Sequence, residues 1–399
     1  MRQWGVSKLE RYREMWRTGG LVLAIGFLTL FIGGGGRHGI GLVLKPMAED
    51  LNWDRGLLGA VIAVFMVATA CTMVAVGRLA DRFPPAWILG GGFIVSAIGI
   101  GLMGLATAPW QAFLLYGVIF AAGNGAVSIT PVGVMITRRF GANAGLANAV
   151  AISGMGLGQL AILSGLSFVL DAAGWRDVFF WLGAVNLAVM PVIILALRRE
   201  AAGHIQPARD ISGMTVPEAA RTRGFWLLLA VFALCGIQDF FVSVHVVAFA
   251  LDEGVGALFA GNLLAFMGLA GLVGVLLAGV WSDKVGPAWP TAACFVLRLV
   301  IFGVISVLKD PALIAAFALL FGLTYWVTAL LTVIFVRGLF GARNLGGLSG
   351  LVTSTHHIAG GLGAWAGAAL FDLEGDYQTV FIAMVVISLA GAVLSLRLR

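Results

Sequence analysis

The stretch Gly77-Arg-Leu-Ala-Asp81-Arg82 closes a long apolar run and returns 202 residues later as Gly279-Val-Trp-Ser-Asp283-Lys284. Two shorter patterns recur at nearly the same offset: Phe140-Gly141 with Phe340-Gly341, and the Asp-x-x-Gly pattern from Asp171 with that from Asp372. Each match falls where an apolar run ends, and the offset is about half of the 399 residues. The spacing therefore indicates two structurally equivalent halves.

The composition requires a membrane environment. Apolar residues make up 60% of the chain and charged residues 11%, and glycine occurs 56 times. A water-soluble fold of this size cannot bury so much apolar surface, whereas glycine lets membrane helices pack closely. A bilayer core takes about 20 apolar residues per helix. Such segments lie near 20–47, 55–77, 86–107, 110–137, 145–170, 176–197, 225–251, 258–281, 288–308, 312–335, 345–370 and 378–396. The sequence predicts an all-α integral membrane protein with twelve transmembrane helices in two six-helix bundles.

Charged stretches mark the predicted domain boundaries. Residues 1–18 carry basic residues among aromatic ones, which is typical of an amphipathic helix on the membrane surface. The apolar segment after them is too long for a cleavable signal. Residues 19–197 form the first predicted bundle and residues 224–399 the second. The polar stretch between them, 198–223, is a cytoplasmic linker too short for a soluble catalytic module.

The distribution of basic residues predicts the orientation. Most of the 25 lysine and arginine residues lie in the N-terminal segment, the even-numbered loops and the C-terminus. By the positive-inside tendency, both termini are cytoplasmic. These loops also account for the net charge of +6, so the charge is no indication of nucleic-acid binding. The sequence lacks an N-x-S/T glycosylation acceptor, which fits a bacterial chain. We expect a multi-pass protein of the bacterial inner membrane.

The sequence offers no pattern for enzymatic chemistry. Cys71, Cys235 and Cys294 each stand alone in apolar segments, without the spacing of a disulfide pair or a metal site, and are best interpreted as small buried hydrophobic residues. The chain has no nucleotide-binding loop, zinc-type cluster or nucleophile with its base. We therefore expect neither catalytic residues nor a metal nor a cofactor.

The repeated loop suits a conformational gate. Gly77 permits a tight turn and a close helix contact. Asp81 can accept hydrogen bonds from backbone amides at a neighbouring helix N-terminus, and Arg82 can bind carbonyl groups or an acid. The counterparts in the second half are Gly279, Asp283 and Lys284. Charged contacts of this kind hold one conformation and are released in another. The alternative is an ordinary basic loop that only sets the topology.

The predicted helices, the two halves and the Gly-x-Leu-x-Asp-Arg loop resemble the major facilitator superfamily over the whole chain. The stretches 44–55, 153–158 and 363–372 further resemble its monocarboxylate transporter and oxalate/formate exchanger branch. The resemblance implies a transporter that works as a monomer and whose first, fourth, seventh and tenth helices line the cavity. One departure limits it: where that branch commonly offers an arginine to the substrate carboxylate, this chain has Gly274-Val275.

Three charges inside the predicted spans, Arg37, Asp239 and Arg298, are the main candidates for function, since an arginine at the centre of a membrane helix costs about 2.5–3.5 kcal/mol. Arg37 follows four glycines at 33–36, which favour a bend or the close approach of a ligand; the alternative is an arginine that snorkels to the surface. Asp239 lies near the middle of the seventh segment. Burial favours the neutral form of Asp239, whereas a nearby cation favours the ionised form. Because these two effects compete, we expect Asp239 to couple proton movement to substrate binding. The alternative is a permanent ion pair between Asp239 and Arg37.

Further polar residues in the spans complete the candidate site. Arg298 in the ninth segment is a candidate substrate ligand, and the alternative is a structural bond to helix carbonyl groups. His245 and His356 can shuttle protons or donate to a carboxylate, and for each the alternative is a satisfied bond between helices. The family resemblance adds the expected substrate contacts Asn124, Gln238 and Tyr325.

These residues favour an anionic substrate, because two arginines against one aspartate make the site positive or neutral. We expect a secondary active transporter that moves a small organic anion, with a monocarboxylate as the favoured substrate. Transport proceeds by alternating access and is driven by a proton or by exchange for a counter-anion. The alternatives are an efflux pump for amphiphilic drugs or metabolites and a membrane sensor that binds without transport.

Overall fold

The computed structural model describes residues 6–37, 39–53, 55–141, 144–203 and 212–398, and almost all of them lie in helices. In chain order the helices are α1 (Val6–Gly36), α2 (Gly39–Leu51), α3 (Arg55–Arg82), α4 (Pro85–Leu102), α5 (Pro109–Ala112), α6 (Ala121–Ala126), α7 (Ile129–Phe140), α8 (Ala144–Ala173), α9 (Trp175–Gly203), α10 (Val216–Ala220), α11 (Arg223–Asp252), α12 (Ala257–Val285), α13 (Ala288–Ile305), α14 (Pro311–Tyr325), α15 (Val327–Phe340), α16 (Leu345–Glu374) and α17 (Gln378–Leu396). A 3₁₀ turn (Met103–Leu105) follows α4, and a π-helical stretch (Phe113–Phe120) joins α5 to α6. The prediction of an all-α protein is confirmed.

Within the described residues, 11 stretches are long and apolar enough to cross a membrane. They coincide with all but one of the predicted segments. The remaining segment, 345–370, corresponds to α16, a helix of 30 residues whose glycine, serine, threonine and histidine residues lower its hydropathy. At about 1.5 Å per residue it is about 45 Å long, more than the bilayer core of about 30 Å. The count of twelve spans and the location of the termini stay predictions.

The recurring glycines end helices at equivalent places in the two halves. Gly141 (φ 57°) follows α7 and Gly341 (φ 81°) follows α15, while Gly174 (φ 92°) follows α8 and Gly375 (φ 78°) follows α16. A positive φ is rare for a residue with a Cβ atom, so glycine is the usual residue just beyond a helix end. The short sequence repeats therefore mark the same two helix ends in each half.

Each half packs as a bundle, and the two bundles share an apolar core. In the first half α1 packs along α8 and α4 along α9; in the second, α11 packs along α16 and α13 along α17. The largest cluster of buried apolar side chains takes members from both halves, including Leu23 of α1 and Val352 of α16. The two halves are therefore in contact in this conformation.

The halves meet along two helix pairs, α3 with α16 and α8 with α12. A methyl group at Gly77 would overlap the carbonyl oxygen of Gly346, and one at Gly346 would overlap that of Gly77. A methyl group at Gly279 would come within 2.8 Å of the carbonyl oxygen of Gly145. The absence of side chains thus lets both pairs approach closely, and the close contact predicted at Gly77 and Gly279 is present. The predicted tight turn is wrong, because Gly77 lies inside α3 and Gly279 inside α12.

The end of the linker is tied to the second half. Gly213 (φ 119°) forms an antiparallel bridge with Gly341. The Ser212 carbonyl oxygen accepts hydrogen bonds from the amides of Ala342 and Arg343, each at 3.0 Å. These bonds join the chain ahead of α11 to the connection between α15 and α16. The linker is thus attached beside the start of α16.

Two predicted boundary segments lie partly outside the described residues, at 1–5 and 204–211. The backbone of α1 is continuous from Val6 through position 18, and α9 extends to Gly203. The boundaries 1–18, 19–197, 198–223 and 224–399 stay predictions.

Candidate functional site

A cavity of about 80 Å³ lies between the two halves, near the middle of the helices that line it. One water occupies about 10–15 Å³ of such space, so the cavity admits a ligand of about six water-sized groups. Helices α1, α6, α11 and α14 contribute to its wall, as the family resemblance implied, and α16 does so as well. The predicted site residues in the wall are Arg37, Asn124, Asp239, Tyr325 and His356.

Three helices end beside the cavity. Helix α1 ends at Gly36, ahead of Arg37; the break between α6 and α7 falls at 127–128, and that between α14 and α15 at Trp326. These two breaks occupy equivalent places in the two halves. Interrupted helices recur at transporter binding sites, because the backbone groups freed at their ends can bind a ligand.

The glycines before Arg37 bring α1 close to its neighbours. A methyl group at Gly35 would come within 2.6 Å of the Gly158 carbonyl oxygen on α8. The Asn124 side chain of α6 donates a hydrogen bond to the Gly33 carbonyl oxygen at 2.9 Å. These contacts fix the end of α1, and with it the backbone that places Arg37 in the cavity wall.

Asp239 and Arg298 form a buried ion pair, with 2.6 Å between Arg298 Nη2 and Asp239 Oδ1. The two side chains are 5% and 1% exposed. Arg298 Nε donates to Thr324 Oγ1 at 2.8 Å, and Nη2 donates to the Thr324 carbonyl oxygen at 3.3 Å. Asp239 is therefore in a buried ion pair, and its partner is Arg298. The alternative drawn from the sequence paired it with Arg37.

Arg298 lies behind Asp239, on the side away from the cavity. It is absent from the cavity wall among the described residues. Its bonds to Thr324, at the end of α14, fit the alternative of a structural arginine that binds a helix carbonyl group. A direct contact between Arg298 and a substrate stays a prediction.

His356 faces Asp239 from α16. Its Nε2 lies 3.7 Å from Asp239 Oδ2, an ion-pair distance if the ring is protonated. Its Nδ1 lies 3.2 Å from the Phe232 carbonyl oxygen. A methyl group at Gly236 would overlap the His356 carbonyl oxygen, so α11 and α16 approach closely here and hold the two side chains at one depth.

Two predicted substrate contacts point away from the cavity. Gln238 Nε2 donates to Ser388 Oγ at 2.6 Å and to the Met384 carbonyl oxygen at 3.0 Å, both on α17. His245 lies 3.0 Å from the Tyr377 hydroxyl and 2.9 Å from the Ala364 carbonyl oxygen. Both side chains make satisfied contacts between helices. The structure thus gathers Arg37, Asp239 and His356 and leaves Gln238 and His245 outside.

Sequence reasoning missed several residues of the cavity wall, which are Phe232, Phe240, Trp326, Thr353 and His357. The positions of Thr353, His356 and His357 carry a signal: polar residues at i, i+3 and i+4 share one face of a helix. The aromatic residues carry no such signal, because aromatic side chains face lipid elsewhere in the chain as well.

One group of side chains has metal-binding chemistry among the described residues, namely Cys235, Asp239 and His356, whose ligand atoms lie within 4.8 Å of one another. Arg298 already places its positive charge against two of them, 2.6 Å from the Asp239 carboxylate and 3.4 Å from Cys235 Sγ. Repulsion by this guanidinium disfavours a bound cation. The group is better described as part of the Arg298 ion-pair network.

Asp81 binds the start of α16 across the interface between the halves. Its two carboxylate oxygens accept hydrogen bonds from the amides of Gly346 and Gly347, each at 2.8 Å. Arg138 of α7 adds a contact of 2.7 Å to the same carboxylate. This is the contact with helix N-terminal amides that the sequence indicated.

Asp283 makes the equivalent contact with the start of α8. It accepts hydrogen bonds from the amides of Gly145 at 2.9 Å and Leu146 at 3.0 Å. We call Asp81, Asp283 and the four amides that they bind the latch. Arg82 and Lys284, beside it, are exposed. The latch joins the halves at one end of the molecule, and its gating role stays a prediction.

The family and the relatives of the chain agree with this architecture. A family model described as Major Facilitator Superfamily matches residues 26–335. The chain is 25% identical to the "Uncharacterized MFS-type transporter YcxA" of Bacillus subtilis (strain 168) over 378 residues, or 90% of each chain. It is 27% identical to "Monocarboxylate transporter 13" of Bos taurus over 318 residues, or 79% of this chain and 74% of that protein.

Solved structures show the same fold. The E. coli fucose:proton symporter FucP matches with a TM-score of 0.69 at 18% identity over 94% of this chain and 98% of that chain. FucP in the outward conformation matches with a TM-score of 0.72 at 16% identity and equal coverage. These relatives are multi-pass membrane transporters and not enzymes. The chain belongs to the Major Facilitator Superfamily.

Proposed function

We propose that this protein is a secondary active transporter that carries a small organic anion, most specifically a monocarboxylate. Transport proceeds by alternating access, with a proton or a counter-anion as the coupled ion. The observation that carries the proposal is Arg37 in the wall of a cavity between the two halves, at the depth of Asp239 and His356.

The charge at the cavity favours an anion. Asp239 is neutralised by Arg298 at 2.6 Å. With neutral histidines, Arg37, Asp239 and Arg298 together carry one net positive charge at the cavity. A carboxylate is attracted to this net charge, and its geometry matches the guanidinium fork of Arg37.

The size and lining of the cavity favour a small carboxylate with an apolar body. The space of about 80 Å³ suits a ligand of few non-hydrogen atoms. Apolar side chains such as Leu30, Val127 and Met155 form much of the remaining wall. A monocarboxylate presents one charged and one apolar end, and both ends find matching surfaces here.

The relatives support the same substrate class. Monocarboxylate transporter 13 bears the substrate class in its name, and FucP is titled a proton symporter. The latch joins the halves on one side of the cavity, and the exposed basic residues Arg82 and Lys284 lie beside it. We infer that the latch side is cytoplasmic and that the structure is the outward-facing state of the cycle.

The proposed topology completes the fold. We propose that α16 is the twelfth span, because it packs along α3 and α11 over its length and exceeds the bilayer core. Both termini then lie in the cytoplasm. The protein acts as a monomer in the bacterial inner membrane, with the lipid bilayer and the transported ions as its partners.

Aromatic side chains in the wall support a second candidate function, the export of amphiphilic compounds. Phe232, Phe240, Tyr325 and Trp326 all line the cavity and offer surfaces on which a hydrophobic compound can stack. This candidate predicts binding of amphiphiles without dependence on Arg37.

The experiment is a binding panel that separates the two candidates. Thermal unfolding of the purified protein is measured with mono- and dicarboxylates, aromatic acids, sugars and cationic amphiphiles at about pH 5.5 and pH 7.5, on either side of an ordinary histidine titration. We expect a monocarboxylate to raise the midpoint in the wild type and in Arg397→Gln, whose arginine is exposed, but not in Arg37→Gln. Stabilisation by amphiphiles alone contradicts the proposal and favours export.

A further inference from the structure

We propose that His356 is the residue that takes up the transported proton, while Asp239 stays ionised as its fixed counter-charge. Each proton then crosses with one organic anion held at Arg37. This inference rests on the proposed function and selects proton symport over anion exchange.

Two contacts of Asp239 favour its ionised form. The Arg298 guanidinium lies 2.6 Å from Oδ1, and the Cys235 thiol donates a hydrogen bond to Oδ2 at 3.2 Å. Arg298 itself is fixed by Thr324 and is 1% exposed. Protonation of Asp239 would leave this buried arginine without its counter-charge, a costly change in a low-dielectric interior. Asp239 is therefore a poor proton carrier by itself.

The hydrogen bond of His356 decides the position of its mobile proton. The Phe232 carbonyl oxygen can only accept, so Nδ1 at 3.2 Å must carry a hydrogen. In the neutral ring, Nε2 is then an acceptor, and it faces the Asp239 Oδ2 acceptor at 3.7 Å. Two acceptors repel each other. A proton on Nε2 turns the contact into an attraction between an imidazolium and a carboxylate.

Among the described residues, the other charged or titratable groups around His356 belong to four helices and to the residue after α1. They are Cys235 and Asp239 of α11, Arg298 of α13, Tyr325 of α14, His357 of α16, and Arg37 beyond α1. His357 differs from His356 in its partner, because its Nδ1 bonds to the Thr353 carbonyl oxygen of its own helix at 2.9 Å. Of the two histidines in the cavity wall, His356 is the one with a carboxylate at ion-pair distance.

The arrangement couples the proton to the anion through charge. With neutral histidines, Arg37, Asp239 and Arg298 together carry one net positive charge, and a proton on His356 raises this sum to two. An anion at Arg37 returns it to one, so each ion favours binding of the other. Water in the cavity delivers the proton to Nε2 on one side of the membrane and accepts it on the other. One anion and one proton move together, and no net charge is transferred.

The transport test uses purified protein in proteoliposomes, with radiolabelled lactate as the probe. Counterflow without a pH gradient reports the proposed function, and accumulation driven by a pH gradient reports this inference. We expect the wild type to show both, with accumulation of up to about tenfold for one pH unit. His356→Gln keeps counterflow and loses accumulation, whereas the control His245→Gln, which removes a histidine outside the cavity wall, keeps both.

Accumulation by His356→Gln equal to that of the wild type would overturn the inference and leave the proposed function intact. If accumulation changed with membrane potential, the proposed ratio of one proton to one anion would be wrong. Failure of wild-type counterflow with lactate and other monocarboxylates would instead refute the proposed function.

A second measurement needs no substrate. The 5 histidines of the chain are labelled with nitrogen-15, and the His356 resonances are assigned by single His→Gln variants. We expect the neutral His356 ring to carry its hydrogen on Nδ1 and to gain a second on Nε2 between about pH 5 and pH 8. A ring that stays neutral throughout that range, or that carries its hydrogen on Nε2 when neutral, overturns the inference.

Discussion

Asp81 and Asp283 make the same contact 202 residues apart: each carboxylate accepts two amide hydrogens from the first turn of a helix in the other half. The two contacts cross between the bundles in opposite directions, from α3 to α16 and from α12 to α8. An acid at a helix N-terminus is stabilised by the free amides and the positive end of the helix dipole. The repeat in the sequence is therefore a repeat of one interaction.

From the latch we predict that neutralising either aspartate accelerates hydrogen exchange mainly at the two amides which that aspartate binds. In Asp81→Asn the Gly346 and Gly347 amides lose part of a charged hydrogen bond worth about 1.5–3 kcal/mol, so their hydrogen exchange accelerates about tenfold or more. The Gly145 and Leu146 amides, which bind Asp283, keep more of their protection from hydrogen exchange than the Gly346 and Gly347 amides do. Asp283→Asn gives the converse pattern, so each variant is the control for the other. Equal protection in the wild type and both variants, measured by exchange and mass spectrometry, would show that the latch does not hold the halves.

The contact between α3 and α16 predicts a strict requirement for glycine. In Gly77→Ala the new methyl group meets the Gly346 carbonyl oxygen, and overpacking of this kind costs about 1–3 kcal/mol. We expect a thermal midpoint at least about 2 °C lower. The control is Gly91→Ala on α4, where nothing lies within 4 Å of an added methyl group and alanine favours the helix by about 1 kcal/mol. Equal midpoints for the two variants would contradict the packing described.

The ion pair of Asp239 and Arg298 predicts non-additive stabilities. Asp239→Asn or Arg298→Gln alone leaves one buried charge without its partner, at a cost of about 3–5 kcal/mol. The double variant removes both charges, so its loss of stability is smaller than the sum of the two single losses. Unfolding in detergent gives the three midpoints against the wild type. Additive losses would mean that the two side chains do not stabilise each other.

In the linker, we predict that the hydrogen bond between Glu218 and Thr215, which caps the start of α10, depends on pH. The Thr215 amide donates to Glu218 Oε2 at 2.7 Å, and this bond lowers the pKa of Glu218, with a smaller contribution from the Thr215 side chain. A lowered pKa gives stability that is present above the unfolded value, about pH 4.3, and is lost as the pH falls through the folded value. We expect the Thr215 amide to exchange faster in Glu218→Gln at neutral pH, and the difference to vanish once Glu218 is protonated. A difference that is constant with pH would exclude the charged cap.

The fold was predictable because its signals are local. Apolar segments, the positions of Gly141 and Gly341, and the paired loops each follow from a few neighbouring residues. The span α16 is the informative exception. Its glycines serve contacts with α3 and α11 and two histidines lie at or near the cavity, so the features that make it useful lower its hydropathy.

The site was predictable only in part, because helix rotation and partner choice depend on packing. Successive residues of a helix differ by about 100° in direction, so Gln238 points away when Asp239 faces the cavity. His245, seven residues after Gln238, lies on nearly the same face as Gln238. This rotation could have been applied to the sequence. The choice of Arg298 as the partner of Asp239 could not, since it depends on how α13 packs against α11 and α14.

Counterflow of a radiolabelled monocarboxylate in proteoliposomes tests the central claim most directly, because it requires binding and movement of the anion but no driving gradient. We expect saturable counterflow in the wild type and in the exposed-site control Arg397→Gln. Arg37→Gln raises the half-saturating concentration at least about 30-fold, the equivalent of about 2 kcal/mol for a lost charge pair. Arg37→Lys keeps the charge without the guanidinium fork and falls between them. No counterflow of any monocarboxylate in the wild type, or an unchanged half-saturating concentration in Arg37→Gln, would contradict an anion site at Arg37.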